Sequence, residues 1–89
     1  MNPVRTPSDF KRLLKAGPYT FPGCYAVYFI CSDGEAISFH DARENAALIC
    51  SAIRDGDNTG WRVVGADINW EDGDLYSAHS GKKIEAAYL

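Results

Sequence analysis

Residues 24–34 read CYAVYFICSDG, and this stretch decides the fold. From 24 to 31 every side chain is apolar or aromatic, and the run is too short for a buried helix. Ser32-Asp33-Gly34 closes it with a strong turn signal, so the run predicts a central β-strand. An Asp-Gly pair matches the backbone twist of a tight hairpin, which folds residues 35–39 back as an antiparallel partner. Both parities of 24–31 are apolar, so both faces of the strand call for cover, and a second subunit is one source of it.

Upstream, Thr6-Pro7-Ser8-Asp9 carries the marks of a helix start. Thr6 serves as N-cap, Pro7 suits the first helical position, and Asp9 faces the positive end of the macrodipole. Phe10, Leu13 and Leu14 form an apolar stripe, and Gly17-Pro18 stops the segment, which predicts a helix over 7–16. Downstream of the hairpin the period changes to 3.6. Ala42, Ala46, Ile49, Cys50 and Ile53 share one face from Asp41 onward, predicting one main helix that ends at Asp55-Gly56. Residues 61–70 read as a strand whose apolar parity shifts, Trp61 and Val63 on one side and Ala66, Ile68 and Trp70 on the other, with a bulge at Gly65. Residues 75–76 and 84–88, around Ser80-Gly81-Lys82, predict a C-terminal hairpin. The expected class is α+β: a small antiparallel sheet packed against one main helix, with a short N-terminal helix and a C-terminal hairpin. It forms a single domain over 1–89, with a helical segment at 1–17 and a sheet-helix core at 18–89.

The chain has 89 residues, 46% of them hydrophobic, and its eleven aromatic side chains can fill one compact core. A core this small supplies only about 3–5 kcal/mol of net stability, which leaves homodimerisation open. The formal charge of -3 gives no basic footprint for a phosphate backbone, so direct nucleic-acid binding is disfavoured. Pro3, Pro7, Gly17 and Pro18 interrupt the first twenty residues, which predicts a cytoplasmic protein without a membrane partner. Cys24, Cys31 and Cys50 are odd in number and never form Cys-x-x-Cys, so they read as small buried apolar residues, slow to alkylate, rather than disulfides or metal ligands.

Asp67, Asn69, Glu71, Asp72 and Asp74 form an acidic set. A calcium loop of the EF-hand type would need Gly at its sixth position and a carboxylate at its twelfth, where counting from Asp67 there are Asp72 and Ala78. The expected arrangement is instead a strand with Asp67, Asn69 and Glu71 on its wet face and Ala66, Ile68 and Trp70 inward, the acidic residues forming a binding edge for a partner. His40 and His79 are the two imidazoles. Neither sits in a nucleophile turn or at metal-ligand spacing, so no catalytic residue and no cofactor is expected.

The stretch Asp67-Ile-Asn-Trp-Glu-Asp-Gly-Asp-Leu-Tyr, continuing to Gly81-Lys-Lys-Ile-Glu-Ala-Ala-Tyr88, resembles a family of small uncharacterised proteins of bacteriophages and prophages. The resemblance covers roughly residues 18–88. In that family an aromatic strand and an acidic-glycine turn, like residues 25–34, lead to a Cys-x-x-Cys pair before an Arg-Glu-Asn helix start, and a second pair follows Asp-Leu-Tyr. Here those four positions hold Ser38, Asp41, Ser77 and Ser80, so the resemblance implies a zinc centre whose thiolates are gone. The Ser38 and Ser77 turns are then expected to stay side by side through hydrogen bonds and packing. The same resemblance implies a phage or mobile-element accessory protein that binds a host or phage protein in the host cytoplasm, in its sharpest form an anti-CRISPR-like inhibitor of a host defence system. The alternative is a nucleic-acid-associated regulatory domain derived from a zinc-knuckle ancestor. A third reading, a hydrolase using a cysteine with His40 or His79, requires a reactive low-pKa thiol.

Overall fold

A computed structural model describes residues 2–20, 23, 25–57 and 60–87. Seven elements follow in order: β1 (Asn2–Pro3), α1 (Pro7–Ala16), β2 (Val27–Cys31), β3 (Ala36–Ser38), α2 (Phe39–Glu44), α3 (Ala46–Asp55) and β4 (Val63–Ile68). The strands form one antiparallel sheet in the order β1-β4-β2-β3, so the class is α+β with β2 central.

The aromatic run behaves as its composition predicts from Val27 onward; Cys24 lies outside the described residues. Cys31 N–H donates to the Glu35 carbonyl and Gly34 N–H to the Cys31 carbonyl, both at 2.9 Å. Gly34 takes a φ of 87°, which a residue with a Cβ adopts only under strain. Phe29 is fully buried at the centre, edge-to-face with Phe10 of α1 at 5.1 Å and stacked on Phe39 of α2 at 5.8 Å. These three rings join sheet and helices into one core with Ile37, Ile49, Val63 and Ala66. Helix α1 begins as its sequence indicates: Thr6 and Asp9 form a capping box, and the Asp9 carboxylate also accepts the Arg5 N–H.

Four expectations are corrected. The main helix is two helices, because the Asn45 side-chain amide donates to the Asp41 carbonyl at 2.9 Å and Asn45 takes non-helical angles (φ -116°, ψ 27°). An Asn inside a helical run competes for its own backbone, which breaks the period at that point. The N-terminal segment is also part of the sheet, since Asn2 and Pro3 pair with Ala66 and Gly65 of β4. Pro3 is tolerated there because an edge strand needs no donor on its outer side. The irregularity in β4 falls between the Ile30–Gly65 and Cys31–Val63 pairs, leaving Val64 as the extra residue next to the glycine. Finally, Phe39 opens α2 rather than closing β3, because Ser38 caps the helix there.

The C-terminal segment folds as a narrow hairpin with a single bridge, Tyr76 to Lys83. Ser77 N–H donates to the Lys82 carbonyl and Ile84 N–H to the Leu75 carbonyl. Tyr88, in the expected return segment, lies outside the described residues, as do Asn58 and Thr59 of the turn before β4. Ala78 N–H donates to the Ala36 carbonyl at 2.8 Å, so the hairpin covers the outer edge of β3. That contact occupies an edge that would otherwise offer unpaired backbone groups to another chain. Among the described residues no helix is long and apolar enough to cross a membrane.

Candidate functional site

Ser38, Asp41, Ser77 and Ser80 come together at one point, although Ser77 lies 36 residues from Asp41 and Ser80 lies 39. The β3–α2 junction supplies the first two and the C-terminal hairpin the others. Ser38 ends β3 as the N-cap of α2, its hydroxyl accepting the Asp41 N–H at 3.1 Å. That cap places the Asp41 side chain in the first turn, facing the hairpin. The Ser77 hydroxyl donates to Asp41 Oδ2 at 2.6 Å and accepts the Ser38 N–H at 3.1 Å. The Ser80 hydroxyl donates to the same oxygen at 2.5 Å and accepts the Lys82 N–H at 3.2 Å. Ser77 is 1% exposed and Asp41 8%.

Burial alone would raise the Asp41 pKa. The hydroxyls of Ser77, Ser80 and Ser38, with a smaller contribution from the nearby His40, outweigh it and hold the carboxyl below its ordinary value. A carboxylate stabilised in this way is a weak base, so it orients the two hydroxyls without activating them as nucleophiles. Three hydroxyls and a carboxylate, tied together by these bonds, do not fit a thiolate-bound zinc ion: the hydroxyls stay protonated, and those of Ser77 and Ser80 donate to the carboxylate. Among the described residues no group of three or more His, Cys, Asp or Glu side chains could hold a metal ion. What the cluster does is fasten the hairpin to the body of the sheet.

Two further contacts fix the same hairpin. The His79 ring stacks on the Trp61 indole, 3.8 Å between centroids and 4° from parallel, with Nε2 3.1 Å from the Gly60 carbonyl oxygen. The Asn69 amide donates to the Ile84 carbonyl at 3.3 Å and to the Asp72 carbonyl at 2.8 Å, and its oxygen accepts the Asp72 N–H. His40, on α2, is exposed and lies 3.8 Å from Glu44.

The acidic set divides. Asn69 is 4% exposed and its side chain is spent on the turn, so it belongs to the interior and not to the expected binding edge. Trp70, expected inward, is 42% exposed and meets Tyr25 edge-to-face at 4.9 Å. The reason is that β4 ends at Ile68, after which the alternation of faces no longer holds. Glu71, Asp72 and Asp74 are exposed around the turn that Asn69 organises, and the Asp72 carboxylate accepts the Asp74 N–H at 2.9 Å. Asp67 is half-buried on β4 opposite Tyr28, whose hydroxyl is raised in pKa by burial first, then by Asp67 and Asp72.

Cys31 is buried, and burial, with Asp33 and Glu35 adding to it, pushes its thiol up to about 12. Cys50 is only half-buried, so the expectation of full burial does not hold for it. A thiol that titrates this high is almost wholly protonated at neutral pH and a poor nucleophile. Alkylation of the native protein at pH 8 followed by peptide mapping is therefore expected to leave Cys31 unmodified while the unfolded chain reacts. Rapid native labelling of Cys31 would reinstate a thiol-based mechanism.

Comparisons with protein-family models, with curated proteins and with solved structures returned no match to this chain.

Proposed function

We propose that this protein is a phage or mobile-element accessory protein that acts by binding a protein partner in the host cytoplasm, with inhibition of a host defence system, in the manner of an anti-CRISPR, as its sharpest form. The observation that supports a binding role is the turn after β4. It presents Glu71, Asp72 and Asp74 beside the exposed Trp70, and it is held in one shape by the buried Asn69 amide. Tryptophan is among the side chains enriched at interface hot spots, and a turn ordered before binding loses little entropy on docking. A carboxylate edge complements a basic groove of the kind that defence nucleases use for nucleic acid. The contact residues are Asp67, Glu71, Asp72 and Asp74, with Trp70 as anchor. The proposal carries the vacated centre at Ser38, Asp41, Ser77 and Ser80 as the scaffold's inheritance and gives it no part in binding.

The test pairs an in vivo readout with a folding control. Expressed in cells whose defence system restricts a phage, the wild-type protein is expected to restore plaquing, and the Glu71→Lys/Asp72→Lys variant to abolish that rescue. Both positions are exposed, and the one side-chain bond lost is that of Asp72 to the Asp74 N–H, so the melting temperature should move by less than about 5 °C. Rescue that persists in the charge-reversed variant would remove the acidic edge from the interface.

A further inference from the structure

We infer that the cleft between the β1–α1 junction, the end of α3 and the start of β4 is a binding site for a single anionic group, a phosphate or a carboxylate. Val4, Ile53, Val63 and Val64 line a space of about 240 Å³ whose two remaining lining residues are Arg5 and Arg62. No acidic residue lines it among those described. The charged side chains that pair elsewhere are Arg12 with Asp9, Arg54 with Asp55, and His40 with Glu44; neither Arg5 nor Arg62 joins any of these pairs.

A second observation points the same way. Arg62 Nη1 donates to the Gly56 carbonyl at 3.2 Å, at the C-terminal end of α3, where the helix places partial negative charge. That contact anchors one end of the guanidinium. Its Nε is buried and has no acceptor among the described residues. A charged donor left unmet in a folded protein is costly, and an ordered water or an ion is one of the partners that such a group takes. Water could supply one acceptor, but it would leave the two arginines that line the cleft without a counter-charge. An oxyanion in the cleft would neutralise charge between the two arginines, and a small turn of the Arg62 side chain would bring its covered Nε to the same acceptor, which suits the fork geometry of Arg. The chain as a whole is acidic, so a polyanion such as nucleic acid is repelled by the rest of the surface, whereas one isolated anionic group is not. The site is separate from the proposed acidic edge and does not depend on it.

Two probes at constant ionic strength, adjusted with sodium chloride, distinguish a free anion from a partner's side chain. Inorganic phosphate stands for the first and N-acetyl-aspartic acid amide for the second. In ¹H–¹⁵N spectra the Arg62 Nε–H signal and the amides of Val4, Val63 and Val64 are expected to move saturably, with a dissociation constant on the order of 1 mM. Saturation by phosphate alone assigns a free phosphate site, and saturation by the aspartate analogue assigns a docking pocket for an acidic side chain. Arg5→Gln, at an exposed position, should weaken binding at least about threefold, and Arg62→Lys, which keeps the charge but removes Nε, about tenfold. Shifts that grow linearly without saturating for both probes, or affinity unchanged in Arg5→Gln with its spectrum otherwise native, would overturn the assignment.

Discussion

Asp41→Ala is expected to lower the melting temperature by about 10–20 °C, the largest loss for any single polar substitution in the protein. One carboxylate oxygen accepts from both Ser77 and Ser80, and through Ser77 it is linked to the Ser38 backbone. Removing it strands the Ser77 hydroxyl, which is 1% exposed and has no water to turn to. A hydrogen bond to a charged group contributes about 1.5–3 kcal/mol, and a stranded buried donor adds its own desolvation cost. For a domain of this size each kcal/mol is worth about 4–8 °C, so a loss of about 2–3 kcal/mol gives the stated range. Asp41→Asn keeps the shape and one acceptor and should cost roughly half as much.

The pH dependence carries a definite sign. The Asp41 pKa is lowered in the folded protein, so its contribution is fully present above the ordinary value of 3.8 and is lost as pH falls through the lower folded value. The stability gap between wild type and Asp41→Asn should therefore be constant from pH 5 to 8 and close only in stronger acid. Urea titrations of both proteins across that range measure it directly. A gap that is already closing at pH 6, or a melting temperature of Asp41→Ala within about 3 °C of wild type, would mean that the cluster does not fasten the hairpin.

The second large effect is a gain. If Ser38, Asp41, Ser77 and Ser80 occupy the positions of four vanished thiolates, replacing all four by cysteine should create a tetrahedral zinc site. Their side chains already converge from two turns distant in sequence, so the metal would make a tie that the chain now makes with hydrogen bonds. Without metal, the Ser38→Cys/Asp41→Cys/Ser77→Cys/Ser80→Cys variant should be less stable than wild type, having lost both the α2 cap and the carboxylate. With zinc it should exceed wild type by tens of degrees, since structural zinc sites in small domains contribute about 10 kcal/mol or more. Cobalt substitution should show thiolate charge-transfer bands and the visible spectrum of tetrahedral coordination. Wild type should show no metal-dependent rise in melting temperature. A rise in wild type, or none in the four-cysteine variant, would separate this cluster from any thiolate ancestry.

Much of the fold was legible in the chain because the relevant signals are local. Thr6, Pro7 and Asp9 specify a helix start within four residues, and the Asp33-Gly34 turn brings together strands only a few residues apart. The helix break at Asn45 was legible in principle, since an Asn in a helical run competes for backbone groups, but the apolar period on either side masks it. The fates of Asn69 and Trp70 were not legible. Strand alternation puts Asn69 outside and Trp70 inside, and that rule expires at Ile68, where the ladder ends for reasons set by other strands. Arg62 posed the same difficulty, because nothing near it in sequence says that its guanidinium would meet the end of α3.

By itself, then, the sequence determined helix α1, the central place of residues 27–31 and the turn into β3, because hydrophobic period and turn chemistry act over a few residues. Which strand borders which, the pairing of Asn2 and Pro3 with β4, and the meeting of Ser77 and Ser80 with Asp41 were decided by the tertiary structure. The physical reason is burial. A carboxylate becomes a tie, and an asparagine a spacer, only when packing removes water from around them and leaves each other as partners.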